Sequence, residues 1–161
     1  MYTIIGLGNP GVEYEKTRHN TGKMAVDALE SKNVKAKYIH QDTFMNKSGS
    51  AVAKVVKSKK AAEKLIVIYD DLDLPLGTMK ISFNRGSGGH KGLESVVRAV
   101  KTKEFIRIRI GIGKKSDVEK HILGKFTPKE QLELKKVFKN LVTAVETIVA
   151  EGYESAMTQF N

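Results

Sequence analysis

The chain has 161 residues, a length typical of a single domain with a hydrophobic core of its own. It has no cysteine, which excludes disulfides, a thiolate nucleophile and cysteine metal ligands. No apolar run reaches the length of a membrane span, and a strand pattern begins at once with no signal-peptide sequence before it, so we expect a cytoplasmic protein.

The formal net charge of +10 is concentrated in two blocks. Residues 32–64 carry nine lysines against two acids, and residues 79–109 carry eight lysines and arginines against two acids. An acidic turn with Asp70, Asp71 and Asp73 lies between the blocks. This distribution favours a nucleic acid bound around an acidic site over a lysine-rich surface with no ligand.

Apolar runs separated by polar turns predict five strands. In chain order these are Tyr2–Leu7, Tyr38–Phe44, Leu65–Tyr69, Met79–Phe83 and Phe105–Ile112. The third run is uniformly apolar, as expected of a central strand covered on both faces. The fifth alternates, with Arg107 and Arg109 on one face against isoleucines on the other, which predicts a strand with one solvated, basic side.

Helical spacing and cap residues predict helices between and after these strands. They are Thr21–Ser31, Gly49 to about Lys60, about Leu93–Val100, a long helix from Thr127 to Gly152, and a short terminal helix. In the long helix Thr127 and Glu130 form a capping box, with Pro128 at the first helical position. We therefore predict a single α/β domain with a mixed, mainly parallel twisted sheet and helices on both faces.

Polar residues follow three of the predicted strands: Asn9, Asn46 and Asp70. Ligands of open α/β sheets bind beyond the carboxyl ends of the strands, so these residues converge if their strands are parallel neighbours. His19 lies on the loop after the first strand, where a carboxylate from Asp70 would hold its tautomer and raise its basicity.

No nucleophile accompanies this pair, since Gly-x-Ser-x-Gly is absent and Ser87 lies in a glycine-rich loop. We therefore expect attack by water with His19 as general base, and with Asn9 and Asn46 orienting the water or a carbonyl.

The other three histidines differ in their surroundings. His90 follows a glycine-rich loop at a predicted helix start, where it either meets an anion or simply begins the helix. His40 in a predicted strand and His121 in a predicted helix are interpreted as structural or surface residues.

Two further ligand classes are formally open. Gly6–Gly11 matches the dinucleotide fingerprint Gly-x-Gly-x-x-Gly, but the amphipathic helix that must follow it directly is delayed to about Thr21. Asp70, Asp71 and Asp73 offer oxygen ligands to a hard cation, but no EF-hand spacing follows them. We favour neither a dinucleotide nor a metal.

The sequence resembles the bacterial-type peptidyl-tRNA hydrolase family in five blocks that span nearly the whole chain. The first holds Gly6–Gly11, Tyr14 and Thr17–Asn20, and the others are Thr43–Gly49, Asp70–Gly77, Gly88–Leu93 and Arg107–Gly113. Each block is modest alone, but their order and spacing together are specific.

The resemblance implies hydrolysis of the ester between a peptide and the 3′ end of tRNA, with His19 activating water and Asp70 orienting His19. It implies substrate-binding roles for Asn9, Tyr14, Met45, Asn46, His90, Lys91 and Arg109. Within that set the asparagines position the peptide and the ester, Met45 lines the cleft, His90 binds at its rim, and Arg109 takes a tRNA phosphate.

The resemblance also implies a monomer that acts on the tRNA acceptor arm, with no cofactor, metal, membrane or obligate protein partner. Two departures stand out. Lys91 replaces an asparagine of many relatives, and residues 31–41 leave room for one strand where the family has several elements. A non-catalytic RNA-binding module on the same fold is the second hypothesis, and a dinucleotide-binding oxidoreductase is the third.

Overall fold

A five-stranded sheet forms the centre of the protein in the computed structural model, which describes residues 1–161. The strands are β1 (Thr3–Gly6), β2 (Lys37–Ile39), β3 (Leu65–Asp71), β4 (Met79–Phe83) and β5 (Ile106–Gly111). Their order in the sheet is β2-β1-β3-β5-β4, and only β4 runs antiparallel to its neighbour. The predicted mixed, mainly parallel sheet is confirmed.

Seven α-helices surround the sheet: α1 (Thr21–Ser31), α2 (Ser48–Ala53), α3 (Lys59–Ala62), α4 (Lys91–Val100), α5 (Val118–Leu123), α6 (Pro128–Glu151) and α7 (Tyr153–Phe160). Short 3-10 turns cover Val12–Tyr14, Arg18–Asn20 and Met45–Lys47. The predicted capping box of Thr127 and Glu130 begins α6. None of the helices is long and apolar enough to cross a bilayer.

The helices cover both faces of the sheet because the strands are apolar on both sides. Along β1, Ile4 packs into a core with α1, α6 and α7, and Ile5 packs into a second core with α2 and α4. Along β3 the same alternation sends Ile66 and Ile68 to the first core and Val67 to the second. The uniformly apolar pattern of β3 is therefore that of a central strand.

Two predicted elements are shorter than expected. The helix predicted from Gly49 to about Lys60 ends at Ala53, and Ser58 begins a separate helix by accepting a hydrogen bond from the backbone N–H of Ala61 at 3.0 Å. The strand predicted over Tyr38–Phe44 ends at Ile39, which pairs with Ile5 close to the end of β1.

The predicted solvated, basic side of the fifth strand is wrong. Arg107 has no exposed surface and Arg109 is 8% exposed, since β5 lies between β3 and β4 and its second face is covered. Buried guanidinium groups need acceptors from elsewhere in the fold, and an alternating pattern does not reveal them.

A close backbone contact brings the start of α1 onto the ends of β1 and β3. A Cβ atom on Gly22 would lie 2.2 Å from the carbonyl oxygen of Ile68, and one on Gly6 would lie 1.9 Å from that of Gly22. Only glycine fits either position. The contact places the turn before α1, which carries His19, over the end of β3.

Candidate active site

The ends of β1 and β3 bring a histidine and an aspartate together. These strands are parallel neighbours, Asp70 lies at the end of β3, and His19 lies in the 3-10 turn between β1 and α1. His19 Nδ1 lies 2.8 Å from Asp70 Oδ2. A carboxylate only accepts hydrogen bonds, so His19 carries a proton on Nδ1 and keeps the Nε2 lone pair for another partner.

His90 contacts the other oxygen of the same carboxylate, which the sequence did not indicate. Its Nε2 donates to Asp70 Oδ1 at 3.0 Å, and its Nδ1 accepts from the backbone N–H of Leu93 at 3.3 Å. His90 is thus the N-cap of α4 and a member of the same cluster. Both of its ring nitrogens have partners within the protein, so only His19 retains a free ring nitrogen.

The carboxyl group of Asp70 is 3% exposed and is held as an anion. Burial raises its pKa, but the electrostatic interaction with His90 and the hydrogen bonds from His19 and His90 outweigh that effect and lower the pKa to about 2. An ionised carboxylate stabilises a protonated imidazole in contact with it, as in a catalytic triad.

These three side chains also have the spacing of a metal site, since one ligand atom of each lies within 4.8 Å of the others. Both oxygens of Asp70 already accept an imidazole N–H, at 2.8 and 3.0 Å. Those are the lengths of N–H···O hydrogen bonds, so the two hydrogen bonds account for the cluster without a cation.

Asn9 is held by an asparagine that the sequence reasoning did not select. The backbone N–H of Asn9 donates to Asn20 Oδ1 at 2.8 Å, and Asn20 Nδ2 donates to the Asn9 carbonyl at 2.9 Å. The Asn9 side-chain oxygen accepts from the backbone N–H of Met45 at 2.7 Å. Asn9 therefore joins the His19 turn to the segment after β2. For Asn20, the only indication in the sequence was its place beside His19 in the block Thr17–Asn20.

Met45 and Asn46, predicted to bind substrate, have different surroundings. Met45 is 4% exposed and packs in the second core, where its sulfur lies beneath Gly92. Asn46 is exposed and makes no side-chain hydrogen bond within the chain. Tyr14 lies edge-on to the exposed ring of Phe44, with ring centroids 6.2 Å apart. Their binding roles stay predictions.

A cavity of about 300 Å³ opens beside the histidines, and cationic side chains lie on its wall. Arg85, Lys91 and Arg109 line it with His19 and His90. The Arg109 guanidinium is already engaged, with Nη1 3.0 Å from Asp71 Oδ2 and Nε donating to Ser82 Oγ at 3.2 Å. Arg85 and Lys91 have no acidic partner, which makes them the available cations of this cavity.

The buried Arg107 supports the loop on which Arg85 lies. Its guanidinium donates to the carbonyl oxygens of Lys103, Phe105 and Arg85, and it stacks 4.0 Å from the Phe105 ring centroid. Burial lowers its pKa to about 10, and no carboxylate lies in contact with it. A second, larger cavity of about 620 Å³ is lined by Asn9, by residues of α1 and by residues 39–42.

Comparison with known proteins shows the same architecture in a family of hydrolases. The peptidyl-tRNA hydrolase family model matches residues 3–41 and 30–161. A peptidyl-tRNA hydrolase of Thermodesulfovibrio yellowstonii is 42% identical over 185 aligned positions, which cover 100% of this chain and 99% of that protein. The chain belongs to the peptidyl-tRNA hydrolase family. It is thus a hydrolase of the ester bond of peptidyl-tRNA that acts in translation.

Other members of the peptidyl-tRNA hydrolase family agree over the same length. The Aquifex aeolicus member is 40% identical, covering 98% of this chain and 95% of that protein. The crystal structure of the Acinetobacter baumannii member superposes with a TM-score of 0.90 at 31% identity, covering 100% of this chain and 94% of that one. The dinucleotide interpretation is also at odds with the fold, since a 3-10 turn rather than a helix follows Gly11.

Proposed function

We propose that His19 is the general base of peptidyl-tRNA hydrolysis and that Asp70 orients it. The observation that carries this proposal is the 2.8 Å contact between His19 Nδ1 and the buried carboxylate, which leaves Nε2 as the one free imidazole nitrogen of the cluster. General-base help of this kind contributes about 10²–10⁴ in rate.

In the proposed reaction His19 Nε2 takes a proton from water as the water oxygen attacks the ester carbonyl carbon. The tetrahedral intermediate then breaks its bond to the ribose oxygen, which takes the proton from the imidazolium. The products are a peptide with a free carboxyl group and a tRNA with a free 3′ hydroxyl. The anionic Asp70 stabilises the imidazolium between the two steps.

We assign the tRNA and the peptide ester of the substrate to different sides of the His19–Asp70 pair. The cavity with Arg85, Lys91 and Arg109 would face the anionic end of the tRNA acceptor arm, because Arg85 and Lys91 on its wall have no acidic partner. Asn9, Tyr14 and the exposed Asn46 would face the peptide and the ester; Met45 supports this wall from the core.

We further propose a cytoplasmic monomer with no obligate protein partner, formed by a single domain over residues 1–161 that is shortened between about 31 and 41. Three observations support the shortening. The alignment with the Thermodesulfovibrio protein has 185 positions for 161 residues, and the two segments matched by the family model overlap at 30–41. The edge strand β2 has only three residues.

The decisive experiment is single-turnover hydrolysis of N-acetylaminoacyl-tRNA by the wild type and by His19→Ala. We expect the variant to lose about 10²–10⁴ in rate while its tRNA affinity, measured by filter binding, changes little. Full activity in His19→Ala would remove the base assignment. Salt-sensitive tRNA binding by a wild type that does not cleave the ester would instead favour the non-catalytic RNA-binding module.

A further inference from the structure

The turn that carries His19 is attached to the segment between α5 and α6, far along the chain. Thr17 forms an antiparallel bridge with Lys125, and the backbone N–H of Arg18 donates to the carbonyl of Gly124 at 3.0 Å. The residue just before His19 is therefore held by residues more than 100 positions later.

The Arg18 side chain strengthens this attachment. Its Nη2 lies 2.8 Å from Glu130 Oε1, its Nη1 donates to the His121 carbonyl at 3.2 Å, and its guanidinium lies over the Phe126 ring at 5.6 Å. The two charged side chains are only 13% and 22% exposed. An ion pair so shielded from water is disrupted at a high cost when one partner is removed.

Glu130 performs two tasks with one oxygen. Oε1 accepts from Arg18 and also from the backbone N–H of Thr127 at 2.9 Å, which is half of the capping box of α6. Burial raises the pKa of Glu130, but the hydrogen bonds from Thr127 and Arg18 outweigh burial and lower it, so the carboxylate stays ionised. The Glu130 carboxylate thus holds both the start of α6 and the turn that carries His19.

We propose that Arg18 and Glu130 are positioning residues that hold the His19 ring in register with Asp70. This inference rests on the proposed role of His19 as the base. Arg18 and His19 are consecutive residues of one 3-10 turn, so movement of Arg18 moves the imidazole. A displacement of about 1 Å breaks a 2.8 Å hydrogen bond and misdirects Nε2, and misplacements of that size cost about 10²-fold in rate.

The test compares two alanine variants that both break the capping box. Glu130→Ala removes the anchor of Arg18, whereas Thr127→Ala removes only the bond from the backbone N–H of Glu130 to Thr127 Oγ1. We expect Thr127→Ala to lower the Tm by about 2–4 °C, and Glu130→Ala to lower it further because it also breaks the shielded ion pair with Arg18. Of these two variants, only Glu130→Ala should lower kcat, by tenfold or more with KM within about twofold. Arg18→Met should lower kcat to a similar extent.

A second readout follows His19 directly. The proton on a ring nitrogen bonded to a buried carboxylate gives a downfield NMR signal in slow exchange with water. We expect the His19 Nδ1 signal to be lost or shifted in Glu130→Ala and Arg18→Met, and to be retained in Thr127→Ala and, largely, in Glu130→Gln, whose amide oxygen still accepts from Arg18. The double variant Arg18→Met/Glu130→Ala should be no slower than the single variants, because both remove one interaction.

Equal losses of kcat in Thr127→Ala and Glu130→Ala would overturn the inference, since helix capping alone would then explain both. An unchanged His19 signal in Glu130→Ala would overturn it as well. The NMR measurement does not depend on turnover, so a failure of His19 as the base would appear separately, as full activity of His19→Ala.

Discussion

Two histidines share one buried carboxylate, and they differ in what surrounds their second nitrogen. His19 leaves Nε2 open beside the cavity, whereas His90 uses its remaining nitrogen to cap α4. Identical side chains on one aspartate therefore have different hydrogen-bond partners. The backbone around each ring, rather than the residue type, decides which ring nitrogen stays free for the proposed base.

The loops that carry the two histidines are also held differently. The His19 turn is tied to distant segments by Arg18 and Asn20 through side-chain hydrogen bonds. The loop before His90 contains two glycines with positive φ and is anchored by the buried Arg107. The side-chain support beneath His19 suits the proposed base, and the glycine-containing loop beside the cavity suits the proposed binding of the substrate.

Replacing the shared carboxylate should abolish the difference between the histidines. Asp70→Asn keeps the size of the side chain but presents an amide, which no longer accepts from both rings and no longer stabilises an imidazolium. We expect kcat to fall about 10³–10⁴-fold, as for the aspartate of a catalytic triad. Single-turnover hydrolysis of N-acetylaminoacyl-tRNA measures this loss. A loss below tenfold would mean that Asp70 is not the partner of the base.

The same variant should change how stability depends on pH. The pKa of Asp70 is about 2 in the folded protein and about 3.9 when unfolded, so ionised Asp70 stabilises the fold by about 2–3 kcal/mol above pH 4. This contribution disappears as the pH falls from about 4 through 2. Urea unfolding at pH 7 and pH 2.5 should show a smaller pH-dependent loss of free energy in Asp70→Asn than in the wild type.

Removing the second histidine should have a smaller effect. His90→Gln loses the imidazole contact with Asp70 but keeps a polar side chain at the N-cap. We expect kcat to fall about tenfold, since one of two donors to the carboxylate is lost while His19 keeps its own bond. The rate of His90→Gln should therefore exceed that of His19→Ala. The reverse order would exchange the assigned roles.

Much of this comparison was accessible from the sequence. Parallel strands with polar residues at their ends predicted the meeting of His19 and Asp70, because neighbouring carboxyl ends share one edge of the sheet. The capping box of α6 was readable because cap signals depend on residues only three positions apart. Local patterns and topology together predicted the fold class and the central pair.

What the sequence did not predict depends on tertiary contacts. The bond from His90 to Asp70 depends on the path of a glycine-rich loop, which no periodicity describes. The burial of Arg107 depends on the Arg85 carbonyl, supplied by that same loop. An alternating strand indicates only that one face is polar, and not that the polar face is covered by the fold.

Replacement of the buried Arg107 should make the loop before His90 more mobile and leave the His19 turn unchanged. Arg107→Met fills a similar volume but releases the Arg85 carbonyl, so the loop before His90 becomes more mobile. We expect KM to rise about three- to tenfold with kcat nearly unchanged, because His19 and its supports are intact. Arg98→Met, on the exposed face of α4, is the matched control and should leave KM unchanged. A large fall in kcat would contradict the separation of the two loops.

The smallest expected effect concerns Lys91, which lies on the wall of the cavity beside the histidines without an acidic partner. Lys91→Asn removes one cation, so the slope of log kcat/KM against log salt should fall by about 1, with a several-fold lower rate only at low salt. Lys101→Asn, at the other end of α4 where asparagine tolerates the left-handed backbone, is the control for general charge.

The substrate itself separates binding of phosphate from other roles of Lys91. An N-acetylaminoacyl ester of adenosine has the scissile bond but no phosphate, so wild type and Lys91→Asn should hydrolyse it equally at every salt concentration. Equal loss on both substrates would place Lys91 at the ester rather than at the tRNA backbone. The expected contrast would show that the His90 side of the cluster recognises the nucleic acid, whereas the His19 side performs the chemistry.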